Sequence, residues 1–128
     1  MSVNIDRFKN LFEPESIAII GASIGANAAL NYAAADPEIA AVALLSPGFD
    51  YHGILMGDAM VKYGSRPVFM AASQDDLPAY GAVLELPNSA TGKKMIKTYA
   101  GTLHGTKMFG ADPIAKPLIE FLKESLGK

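Results

Sequence analysis

Cysteine is absent from this chain, and neither sign of charge dominates it. Without thiols there can be no disulfide, no thiolate nucleophile and no cysteine-ligated zinc. The formal net charge is −2 and the pI about 5.6. Nothing is basic enough to hold a polyphosphate backbone, so no nucleic acid partner is expected. Long apolar runs are missing too. The longest, Ile39 to Leu45, falls far short of the roughly 20 residues that cross a bilayer. Asp6, Arg7 and Lys9 precede any apolar stretch, which is unlike a secretory signal. The expectation is a cytoplasmic protein with no membrane partner.

What is present suits one covered core. The 128 residues are 50% hydrophobic, with a mean hydropathy of +0.20, and the length is that of a single domain over 1–128. A chain of this size buries about two-thirds of its unfolded surface. Strands covered on both faces read as continuous apolar runs, the signature of a parallel sheet.

Ile5, Phe8, Leu11 and Phe12 have helical spacing, and Pro14 ends that helix. Ile17 to Ile20 reads as a buried strand cut off by Gly21. Ile24 to Ala35 is alanine-rich and helical, and Asp36-Pro37 closes it. Ile39 to Leu45 is a second strand, Tyr51 to Tyr63 a helix weakened by Gly53 and Gly57, and Pro67 to Ala72 a third strand. Leu77 to Leu86 is helical and Lys94 to Tyr99 a fourth strand. Asp112 is an expected N-cap, with Pro113 in the first position of a last helix buried along Leu118, Phe121, Leu122 and Leu126. This alternation argues for an α/β fold: a parallel sheet of about four strands with right-handed helical crossovers.

Gly21-Ala22-Ser23-Ile24-Gly25 matches G-x-S-x-G between an expected strand and an expected helix. A sharp strand-to-helix turn needs very small neighbours and lifts the serine hydroxyl above the sheet. It also sets that hydroxyl at a helix N-terminus, where unpaired N–H groups can face a developing oxyanion. Two other readings compete. A Gly-Ala-Ser turn can simply pack a helix closely on a sheet. Ile17 to Ser23 also resembles the opening of the CoA-binding domains of NDP-forming acyl-CoA synthetases, although the G-x-G-x-x-G fingerprint is absent.

A serine nucleophile needs a base, and the chain has two histidines, His52 and His104. His104 follows the fourth strand in Gly101-Thr102-Leu103-His104-Gly105-Thr106, whereas His52 reads as a surface-loop residue. Asp75 and Asp76 follow the third strand and offer an orienting acid. Ser23, Asp75 and His104 all fall after parallel strands, on the side where open α/β sheets bind ligands. Their chain order is serine, aspartate, histidine. The six methionines read as core filler.

From Ile17 to Lys128 the chain resembles the C-terminal half of an α/β-hydrolase of the dienelactone-hydrolase-like group. The resemblance is carried by Ile19-Ile20-Gly21-Ala22-Ser23-Ile24-Gly25-Ala26-Asn27, Ala43-Leu44-Leu45-Ser46-Pro47-Gly48, Pro67-Val68-Phe69-Met70-Ala71-Ala72-Ser73-Gln74-Asp75-Asp76 and Tyr99-Ala100-Gly101-Thr102-Leu103-His104-Gly105-Thr106. Phe8-Lys9 and Glu13-Pro14-Glu15-Ser16 are similar to the helix end and turn before that family's elbow. The resemblance implies Ser23 as nucleophile, His104 as base and the Ile24 backbone N–H as an oxyanion donor. It implies Asp75 as the acid, counted three residues beyond the small Ala72 that is taken to end the strand, with Asp76 as its rival.

The resemblance implies hydrolysis of small esters, lactones or thioesters through an acyl-enzyme, with no cofactor and no metal. A complete member has several strands before the elbow, one of whose loops supplies a second oxyanion donor, so weak or undetectable activity is expected of this chain by itself, or activity only after assembly with another chain. The alternatives are a non-catalytic relic or binding module, or a CoA- or nucleotide-binding domain. Ile17 to Ile20 is expected to have an unpaired apolar edge, which a homodimer or a different chain would cover.

Overall fold

The computed structural model describes residues 16–127. The helix expected over Ile5 to Phe12, Pro14 and the Phe8-Lys9 and Glu13 to Glu15 segments lie outside the described residues. Within them the apolar runs form four parallel strands in the order β1 (Ile17–Ala22), β2 (Ile39–Leu45), β5 (Val68–Ser73) and β6 (Lys94–Tyr99). Helix α1 (Ile24–Ala35) joins β1 to β2, α2 (Gly57–Tyr63) precedes β5, α3 (Leu77–Glu85) leads towards β6, and α4 (Ala115–Ser125) closes the chain. The expected α/β architecture is the observed one: a four-stranded parallel sheet flanked by helices.

The central strands divide the core between two faces because successive side chains point opposite ways. Val42 and Leu44 of β2 join Val68, Met70 and Ala72 of β5 in one apolar cluster with Leu30, Met60 and Val83. Ala41, Ala43 and Leu45 join Phe69 and Ala71 in the other, under Ile114, Leu118 and Phe121. The alanine-rich α1 buries Ala26, Ala29, Leu30 and Ala33; small side chains let it lie close to the sheet. At the end of the sheet where β2 begins, Arg66 donates to the carbonyls of Ala33, Asp36, Ile39 and Tyr63 at 2.7–3.1 Å. One guanidinium thereby satisfies the last carbonyls of α1 and the start of β2.

Four boundaries differ from expectation. β1 runs through Gly21 to Ala22, because Gly21 and Ala22 stay in register with Leu44 and Leu45. β5 runs one residue past Ala72, to Ser73, held against Tyr99 of β6. The helix expected over Tyr51 to Tyr63 is instead a hairpin, β3 (Asp50–Tyr51) against β4 (Ile54–Leu55), followed by the shorter α2. Its two turn residues, His52 and Gly53, both have positive φ, 53° and 86°, as a tight two-residue hairpin requires. The Asp50 side chain accepts the Gly53 N–H at 2.7 Å. Finally, α4 starts at Ala115, so Asp112 and Pro113 belong to the turn before it and not to its N-cap.

Candidate active site

The site grows from the carboxyl ends of β1, β5 and β6. At the end of β1 the chain must reverse into α1 within one residue, and Ser23 takes the strain, with φ 57° and ψ −127°. Such a conformation is costly for a residue with a side chain. Two contacts keep it in place. The Ser23 N–H donates to Leu45 O at 2.8 Å, extending the β1–β2 ladder. The first turn of α1 lies so close beneath the elbow that a Cβ on Gly21 would stand 2.2 Å from Gly25 O. Ile24, the first residue of α1, has no intrahelical partner for its N–H.

The loops after β5 and β6 are bonded to each other. Gln74 N–H donates to Tyr99 O at 2.7 Å and Asp75 N–H to Gly101 O at 2.9 Å. This continuation of the ladder delivers the aspartates to the histidine loop. His104 Nε2 lies 2.7 Å from Ser23 Oγ, and His104 Nδ1 lies 2.5 Å from Asp76 Oδ2. A carboxylate can only accept, so Nδ1 carries the proton and Nε2 is left to accept the Ser23 hydroxyl. The Asp76 side chain is 15% exposed and that of His104 39%: the carboxylate is sheltered and the imidazole opens to solvent.

Asp75 is the residue to correct. It is exposed, and its backbone, not its carboxylate, serves the site. The count of three from the end of the strand holds, but the strand ends at Ser73, which puts the group beside His104 at Asp76. Ser23 and His104 lie in hydrogen-bond contact, as expected, and Ile24 follows Ser23 with its N–H free of the helix. His52 is exposed at the tip of the β3–β4 hairpin. No group of three or more His, Asp or Glu side chains that could hold a metal occurs among the described residues, and no helix there is long and apolar enough to cross a membrane.

Four residues that the sequence did not single out shape the surroundings. Asn27, fully buried, donates to Gly48 O and Ile54 O and accepts the Gly48 N–H at 2.8–3.1 Å, fastening the hairpin to α1. Tyr51 on that hairpin turns its ring edge-on to His104, with centroids 6.4 Å apart and planes at 83°. Gly48 leaves room for it, since a Cβ there would sit 2.8 Å from the Tyr51 ring. Burial first and the Asp76 carboxylate second push the Tyr51 phenol up from its ordinary value, and its hydroxyl donates to Ser46 O at 3.3 Å. Ser46 and Ser73 lie buried beneath the histidine loop. Neither serine nor the asparagine has a sequence signal beyond its neighbourhood to a strand end or an elbow.

The strand–elbow–helix unit and the sheet define a hydrolase-like α/β fold. Among solved structures the chain is similar to dienelactone hydrolase from Anabaena variabilis ATCC 29413, with a TM-score of 0.60 and 21% identity, over 84% of this chain and 46% of that one. The chain thus spans about half the length of that protein, and at this identity the likeness is one of fold. No family model matches the sequence, and no curated protein matches it.

Proposed function

We propose that this chain is a serine hydrolase of small esters, lactones or thioesters. The observation that carries the reading is the continuous relay Ser23 Oγ–His104–Asp76, with contacts of 2.7 Å and 2.5 Å. In this reading Ser23 Oγ attacks the carbonyl carbon while its proton passes to His104 Nε2. The oxyanion that forms is met by the Ile24 N–H at the start of α1. Collapse of the tetrahedral intermediate breaks the bond to the alkoxide or thiolate, which takes the proton back from Nε2. Water then gives a proton to His104 Nε2 as it adds to the acyl-enzyme; when that intermediate collapses, the bond to Ser23 Oγ breaks, Oγ takes the proton back from Nε2 and the acid is released. Asp76 keeps the imidazole in the Nδ1–H tautomer and offsets the charge it acquires. The exposed Ile24 and Leu77 adjoin Ser23 and Asp76 in the chain and favour an apolar substrate.

The strained elbow supports this over a non-catalytic module. A φ of 57° at Ser23 serves packing no better than an unstrained residue would, whereas it aims Oγ at the imidazole. The expected setting is cytoplasmic. The test pairs labelling by a fluorophosphonate with hydrolysis of a p-nitrophenyl ester. Both are expected in the native chain and absent from Ser23→Ala; hydrolysis that survives Ser23→Ala would remove serine chemistry from the account. With Ile24 as the one backbone donor named, and each such donor worth about 10²–10³ in turnover, rates well below the usual 10 s⁻¹ or so are expected.

A further inference from the structure

Ser46 and Ser73 have no part in the mechanism above, yet both are fully buried and both point into the histidine loop. Ser46 follows the last residue of β2, and Ser73 is the last residue of β5. Ser73 Oγ donates to Leu103 O at 2.5 Å. Ser46 Oγ accepts the Gly105 N–H at 2.8 Å. Leu103 and Gly105 are the two chain neighbours of His104, so the backbone on each side of that residue is tied to a hydroxyl at the end of an interior strand.

Three more observations agree. Ser46 holds a φ of 52°, a region where glycine would be relaxed but would bring no hydroxyl. Gly105 is buried at φ 62°, and a Cβ there would rest 3.6 Å from Ala22 Cβ, so the loop is also seated against the residue before the nucleophile. The Ser46 carbonyl accepts the Tyr51 hydroxyl, whose ring bounds the imidazole. With both flanking peptide groups held, the freedom left to His104 is rotation of its own side chain, which Asp76 and Tyr51 restrict.

We propose that Ser46 and Ser73 are positioning residues that clamp the Leu103–Gly105 segment and thereby set His104 against Ser23 and Asp76. The kinetic consequence rests on the serine-hydrolase reading; the geometric one does not. A displacement of about 1 Å in a reacting group costs about 10² in rate. Ser46→Ala and Ser73→Ala should therefore each lower kcat for a p-nitrophenyl ester about 10- to 100-fold, with KM within about twofold. Ser73→Thr keeps the hydroxyl on a strand and should restore kcat to within about fivefold. Ser46→Gly relaxes the backbone, so it should melt above Ser46→Ala and still be as slow, since both lack the anchor.

The second measurement does not need turnover. The imidazole 15N shifts of His104 report which ring nitrogen carries the proton. They should show the Nδ1–H tautomer in the native chain and a mixture in the two alanine variants. Alanine variants with native kcat and native shifts would overturn the clamp. So would kcat that follows the melting temperature, with Ser46→Gly recovering activity. Should the native chain neither label nor hydrolyse, the serine-hydrolase reading falls. The 15N shifts still decide the clamp: redistribution in the alanine variants upholds it, and an unchanged tautomer refutes it.

Discussion

Replacing Asp76 by asparagine should cost nearly all activity, while the same change at Asp75 should cost almost none. Asp76 Oδ2 touches His104 Nδ1 at 2.5 Å, with the carboxyl 15% exposed and the imidazole 39%, so the pair is sheltered on one side and partly screened on the other. Near a protein surface, with an effective dielectric of about 20, opposite charges about 4 Å apart attract by about 4 kcal/mol. On the proposed serine-hydrolase reading that attraction appears only when His104 takes the Ser23 proton, and so it would lower the barrier rather than aid substrate binding. Asp76→Asn removes it, and its amide can also donate to Nδ1. Donation there moves the ring proton to Nε2, where it faces the nucleophile instead of accepting from it. In triads of this type the substitution costs about 10⁴ in kcat, or about 5.4 kcal/mol at 1.36 kcal/mol per tenfold.

Asp75 is exposed and contributes its backbone N–H, to Gly101 O, which asparagine retains. Asp75→Asn should leave activity within about twofold and stability within about 0.5 kcal/mol. The assay is the second-order rate of fluorophosphonate labelling beside kcat for an ester, with circular dichroism to show that both variants are folded. Loss of activity in Asp75→Asn with retention within tenfold in Asp76→Asn would refute the reasoning and return the acid to Asp75.

Three further outcomes follow from the geometry. Gly21→Ala should destabilise the fold by about 3 kcal/mol and abolish labelling, because the new Cβ meets the backbone Gly25 O at 2.2 Å; a native melting temperature would contradict this. Burial chiefly pushes the Tyr63 phenol up to about 12 from 10.0, and its hydroxyl donates to Pro67 O at 2.5 Å. The stability this represents is whole below the ordinary value and lost as pH rises towards 12, about 1.4 kcal/mol per unit; denaturation midpoints at about pH 9 and 11.5 should converge between native and Tyr63→Phe proteins as pH rises, and parallel curves would sink the assignment. We also propose that copies associate along β1, which among the described residues pairs on one side only and exposes Ile17 by 41% and Ile20 by 50%; light scattering should give about 27 kDa, twice the 13.5 kDa chain, and a clean monomer at micromolar concentration would exclude it.

What could be read from the sequence was whatever depends on a residue and its near neighbours. Ile39 to Leu45 is apolar at every position, so it reads as a strand with both faces covered, and it is one. Ile24 to Ala35 carries its own helix propensity between a turn and Asp36-Pro37, and its limits agree with expectation. The hairpin at Asp50 to Leu55 was hidden because its turn is His52-Gly53. Glycine at the second position is a hairpin signal, but histidine at φ 53° is uncommon there.

The misplaced acid and the unseen serines share one cause. Where a parallel strand ends is decided by the ladder of its neighbour: β5 reaches Ser73 because Tyr99 of β6 is there to pair with it, and nothing in Ala-Ala-Ser-Gln-Asp-Asp announces that partner. One residue of strand reverses the face to which each following side chain points, so an error of one between Ala72 and Ser73 exchanges Asp75 for Asp76. Ser73 itself was invisible for the same reason. Read as the first residue of a loop it is a solvated hydroxyl, but as the last residue of a strand it is buried and must find a partner. That partner is Leu103 O, 30 residues away. Ser46 repeats the case at the end of β2, with its partner at Gly105, 59 residues on. Ser23 could be found because an elbow is local, one strained residue between small neighbours at Gly21, Ala22 and Gly25. Asp76 and the two serines beside the His104 loop could not, because each is defined by a distant strand that stops beside it.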